Sequence, residues 1–229
     1  MSDSKKTIKK STIIGGIAFL LFVLFTTTFF LPFIRQLGID YKTAFFLSRL
    51  IIWSCLLLTF LYAMYIEKQP FLLWKEKEYS FAYYLASIAV TMIVLIFVVF
   101  VVSMVLKTLD SNLESKKMNE IIQFFKNNTP LILFTSTTAG ITEELLFRGY
   151  LIPQLEIIVK NTYLSILISC ILFGLIHYSY GTLIQVIGPF SIGLVLALHY
   201  QKYRNIKIVI ICHFLWDLMS IVVKTSQLQ

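Results

Sequence analysis

Long apolar runs separated by short polar breaks fill the 229-residue chain, and their lengths predict an all-α polytopic membrane bundle. The runs cover Thr12 to Ile34, Thr43 to Ile66 and Tyr79 to Leu106, then a fourth from Thr129-Pro130, and finally Tyr163 to Tyr180, Thr182 to Tyr200 and Ile206 to Val223. Seven transmembrane helices are expected, with six to eight compatible. The one long polar stretch, Lys107 to Asn128, carries Met118, Ile121, Ile122 and Phe125 at three-to-four-residue spacing, which predicts an amphipathic helix lying in the interface. The expected organisation is 1–128 as three spans plus this helix and 129–229 as a helical core, within one integrated membrane domain.

Composition agrees with the pattern. The chain is 58% hydrophobic and 14% charged, with mean hydropathy +0.80. The formal charge of +8 is a topology signal, because no basic stripe interleaved with aromatics marks a nucleic-acid surface. Lys5, Lys6, Lys9 and Lys10 precede the first run, which places the N-terminus in the cytoplasm. With seven spans the cytoplasmic loops then hold eleven Lys and Arg against seven outside, a modest bias. The first run is longer than a signal-peptide core and lacks an Ala-x-Ala site, so it is expected to stay as a span. Cys55, Cys170 and Cys212 sit in apolar runs without metal or disulfide spacing and read as small buried hydrophobes.

The fourth run contains Ala139-Gly-Ile-Thr-Glu143-Glu144-Leu-Leu-Phe-Arg148-Gly149. A charge near the middle of a membrane helix costs at least about 2.5–3.5 kcal/mol on insertion scales, so such residues serve a partner or a watery cavity. Glu144 and Arg148 share a helix face, whereas Glu143 is rotated by about 100°. Arg148 therefore neutralises Glu144 and leaves Glu143 free as a general base. Ser136 with Gly140, and Thr135 with Ala139, form small-residue stripes that let a neighbouring helix approach.

Two later runs add imidazoles: Phe173-x-x-x-His177, and His213-x-x-x-Asp217 with both polar groups on one face. His199, beside Tyr200 and Lys202, reads as interfacial. Glu143 and His177 each stand seventeen residues from Lys160, about 25 Å along a helix, while His213 lies about 12 Å beyond the turn at Asn205. A common level then requires the Lys160 hairpin to protrude past the membrane surface. Arg49 is the one intramembrane polar group expected in the N-terminal half.

Glu143-Glu144-x-x-x-Arg148, Phe173-x-x-x-His177 and His213-x-x-x-Asp217, in this order over Thr129 to Val223, resemble the CPBP family. This family comprises type II CAAX prenyl endopeptidases and the bacteriocin-processing or self-immunity proteins also called Abi. Phe190-x-x-Gly193 is similar to the family's intervening small-residue segment. The resemblance implies an intramembrane endopeptidase of a bacterial plasma membrane acting on a membrane-associated peptide such as a bacteriocin or pheromone precursor. By the same resemblance Glu143 with His177 activates water, Glu144 and Arg148 form a supporting pair, and His213 with the residue four beyond stabilises the oxyanion. That residue is Asp217, where the CAAX endopeptidases typically carry Asn. An ionised Asp cannot donate to an oxyanion, so Asp217 either orients His213 or is itself protonated.

No cofactor is expected, although Glu143, His177 and His213 could supply a three-ligand zinc site with an open position. Two other readings keep the fold: a non-catalytic immunity or scaffold protein, and a proton-coupled transporter. The latter needs inverted-repeat symmetry, which the sequence lacks.

Overall fold

The computed structural model describes residues 9–109 and 115–227, so Lys5, Lys6 and part of the predicted 107–128 helix lie outside the described residues. All regular elements among the described residues are helical: α1 (Lys10–Gln36), α2 (Tyr41–Leu61), α3 (Phe81–Thr108), α4 (Lys116–Phe125), α5 (Thr129–Glu144), α6 (Ile152–Val159), α7 (Thr162–Ile176), α8 (Ile184–Tyr203) and α9 (Ile206–Ser226). Two π-helical turns extend the list. Tyr62–Glu67 continues α2, and Leu145–Leu151 joins α5 to α6 in one rod.

Five described helices are long and apolar enough to cross a bilayer: Tyr41–Glu67, Phe81–Thr108, Thr162–Tyr180, Ile184–Tyr203 and Ile206–Ser226. The expected count of seven is therefore not reached by length and composition. The Thr, Ser and Glu residues of α5 dilute its rod, and in α1 only Lys10–Thr26 falls among the residues described throughout.

Side chains cap the helices where the sequence breaks them. Asp40, Ser80, Ser115, Asn128, Asn161 and Asn205 each accept a hydrogen bond from an N–H in the first turn of the helix that follows. Lys160 and Arg204 end α6 and α8 in the left-handed conformation.

Small residues set the spacing of the core. A Cβ on Gly140 would come within 3.0 Å of the Phe214 nitrogen and 3.1 Å of the Ile210 oxygen, so α5 and α9 touch backbone to backbone. Gly174 brings α7 against α8 in the same way, its added Cβ falling 2.8 Å from the Val186 oxygen.

The two ends of the bundle differ. At one, the polar loop after α2 folds back over the helix ends. Phe71 and Trp74 are buried, Trp74 Nε1 donates to Glu156 Oε2 at 2.8 Å, and Arg204 lies 3.6 Å over the Trp74 ring. In the same loop Glu76 accepts from the Tyr200 hydroxyl at 2.6 Å and from the Ile206 N–H at 2.7 Å. At the other end α4 lays its apolar stripe on the protein: Ile122 and Phe125 are buried against Phe45, Leu131 and Ile132. The three cysteines are free and buried.

Candidate active site

The site begins with the rod that α5 starts. After Glu144 the helix widens into the π turn Leu145–Leu151, a feature that marks functional positions more often than ordinary helix does. Leu146, Phe147, Tyr150 and Leu151 are fully buried around it. Glu144 is fully buried and Arg148 nearly so, and their charged groups approach to 3.0 Å as an ion pair. The Arg148 guanidinium stacks 4.6 Å above the Phe173 ring. Gly193 leaves it room, since a Cβ there would fall 3.0 Å from Arg148 Nη2.

His213 enters from α9 at the Gly140 contact, between Ile210 and Phe214. Its Nδ1 lies 2.6 Å from Glu144 Oε1, so Glu144 serves both the arginine and the histidine. Spacing along the chain left open which of the two glutamates His213 would reach. Its Nε2 instead stands 3.8 Å from Glu143 Oε2 and 3.7 Å from Asp217 Oδ2, too far for hydrogen bonds. The contact with Glu144 satisfies the requirement that α5 and α9 deliver their polar groups to one level.

His177 caps α7, its Nδ1 2.7 Å from the Phe173 carbonyl. A carbonyl only accepts, so Nδ1 carries the proton and the neutral ring keeps a lone pair on Nε2. The bond also satisfies a carbonyl left open by the helix end.

Glu143, His177, His213 and Asp217 all line one cavity of about 570 Å³, whereas Glu144 and Arg148 do not. Glu143 and Asp217 keep 12% and 28% side-chain exposure, against 0% for Glu144. Adjacent glutamates are thus split between a wet face and a dry one. Among the described residues no three His, Cys, Asp or Glu side chains are grouped to hold a metal ion.

A second buried carboxylate escaped the sequence reading. Glu67, at the end of the second apolar run, is only 3% exposed and accepts from Tyr150 Oη at 2.8 Å and Gln154 Nε2 at 2.7 Å. Arg49 is therefore not the sole intramembrane polar group of the N-terminal half. The clue was Gln154, a polar residue isolated in an apolar stretch. His199 bonds Ser87 Oγ at 2.8 Å between α8 and α3, away from the cavity.

A polytopic helical protein with polar groups gathered on an internal cavity is the class these features define. Residues 125–219, about two fifths of the chain, match the family model described as Type II CAAX prenyl endopeptidase Rce1-like. The matched segment is thus similar to that family, and all six site residues lie within it. Comparison with curated proteins and with solved structures returned no match.

Proposed function

We propose that the protein is an intramembrane endopeptidase in which Glu143 is the general base. The observation that carries this reading is the shared cavity: Glu143, His177 and His213 face one space while the Glu144–Arg148 pair is sealed behind it. A water held between Glu143 and His177 Nε2 gives its proton to Glu143 as its oxygen attacks the scissile carbonyl carbon. His213, as imidazolium, donates from Nε2 to the tetrahedral oxyanion while Glu144 holds Nδ1 and balances the ring's charge. Glu143 then returns the proton to the leaving amine and the C–N bond breaks. Asp217 sits beside His213 Nε2 without bonding it and acts by orienting the ring through charge. The substrate is a membrane-associated peptide of the bacteriocin- or pheromone-precursor kind.

The test is cleavage of a fluorogenic peptide set by purified protein in lipid nanodiscs. Glu143→Gln lowers kcat by about 10²–10⁴-fold, the range of a lost general base, while thermal stability holds. Turnover is indifferent to a zinc chelator. Chelator-sensitive turnover restored by zinc would overturn the metal-free mechanism, full activity in Glu143→Gln would remove Glu143 as the base, and no cleavage by wild type would leave a scaffold role.

A further inference from the structure

Hydrolysis by the groups above leaves one charged feature of the cavity unused. Three cations line it: Arg49 from α2, Lys117 from α4 and Lys224 from α9. Lys117 Nζ donates to the Ser179 carbonyl at 3.1 Å and lies 5.6 Å over the Tyr180 ring, and Lys224 is exposed in the last turn of α9. Arg49 differs from both. It is half-buried, eight residues or about 12 Å into a helix apolar enough to cross the bilayer. Its Nε makes one long bond, 3.4 Å to Ser48 Oγ, and its guanidinium rests 5.0 Å over the Phe45 ring. Among the described residues no carboxylate forms an ion pair with it. A guanidinium at such a depth is costly unless something meets it.

The cavity wall shows what could. Along α9 the lining runs from His213 to Lys224, about 16 Å of helix, so a peptide lying in the groove reaches well past the attacked bond. Most of the remaining wall is apolar, including Phe45, Ile52, Ile121, Ile176, Ile192 and Trp216. An anionic peptide group entering this space is repelled by Glu143 and Asp217 unless a cation compensates. Arg49 supplies that cation from the wall of the same cavity that Asp217 and Tyr180 line.

We propose that Arg49 is a specificity-determining residue that binds a carboxylate of the substrate peptide through its open guanidinium fork. This deepens the protease reading and rests on it. The carboxylate is either the peptide's own C-terminus or an Asp or Glu side chain on the same side of the cleaved bond, both presenting the same planar pair of oxygens.

Two peptide series separate these sources. One compares a free C-terminal acid with its amide, and the other, with amidated ends, compares an internal Glu with Gln. Cleavage is measured with wild type, Arg49→Gln and Arg49→Lys, and binding of the same labelled peptides is measured by anisotropy on Glu143→Gln. Wild type prefers the acid of one series by about 10- to 100-fold, the worth of a charge-assisted hydrogen bond, and the preference lies in KM. Arg49→Gln brings the acid-to-neutral ratio close to one. Arg49→Lys, which keeps the charge but loses the fork, falls between. Equal handling of acid and neutral peptides by wild type, or a preference that survives Arg49→Gln, overturns the proposal. Acid-selective binding without cleavage of any peptide keeps Arg49's role and removes the protease. Cleavage without selectivity does the reverse.

Discussion

Two buried carboxylate clusters sit on either side of the π turn Leu145–Leu151, and only one has the makings of chemistry. Glu67 is closed in: its oxygens take hydrogen bonds from Tyr150 and Gln154, and α1 crosses directly above, where a Cβ on Gly16 would fall 2.1 Å from the Tyr150 hydroxyl. Glu144 is equally dry, yet it passes its charge through His213 to a cavity that Glu143 and His177 share. Burial alone does not distinguish the two. What distinguishes them is a route from the buried acid to open space through groups that can carry protons. The clusters are also coupled, because Arg148 and Tyr150 belong to the same widened turn. Glu67 thus braces the segment that presents the ion pair.

The contrast can be tested, beginning with the largest effect. Arg148→Met leaves Glu144 buried with only its histidine. Breaking a buried pair in this way costs about 3–5 kcal/mol, which unfolding in detergent will read as a large loss of stability along with loss of turnover. An unchanged unfolding midpoint would mean that Glu144 does not depend on the arginine. Glu67→Ala strands two donors, Tyr150 and Gln154, at about 1–3 kcal/mol. Its signature is lower stability with kcat within a few-fold of wild type once the protein is folded, and a collapse of kcat in a stable variant would make the Glu67 cluster part of the machinery. Asp217→Asn is the mildest change. Its partner lies beyond hydrogen-bond range and its side chain is over a quarter exposed, so a charge contact worth about 0–1 kcal/mol shifts kcat/KM by less than about tenfold. A larger change would show a direct bond made only when substrate is present.

Much of this arrangement was legible before any coordinates. Glu144 and Arg148 pair because residues four apart share a helix face, and Gly140 marked the face where another helix could close in. The amphipathic periodicity of Met118 to Phe125 gave the helix but not its seat, since an apolar stripe looks alike whether lipid or protein covers it. The partner of His213 was not legible for a related reason: which of two adjacent glutamates a distant imidazole meets depends on the rotation and crossing of α5 and α9, about which spacing along the chain is silent. Glu67 was hidden by its position at the edge of an apolar run, where a carboxylate ordinarily reaches water. The loop holding Trp74 and Glu76 looked like a plain polar connector because its partners, Glu156, Tyr200 and Arg204, are more than eighty residues away in the chain.

That loop has a consequence for traffic. Trp74 and Glu76 are corked between the ends of α6, α8 and α9, whereas the groove extends toward α4, Tyr41 and Lys224, which gives a blind alley if its doorway lies there. A polypeptide cannot be threaded through such a passage from one leaflet to the other. On the proposed function, a peptide substrate dips in and back out, and its fragments leave by the entrance it used.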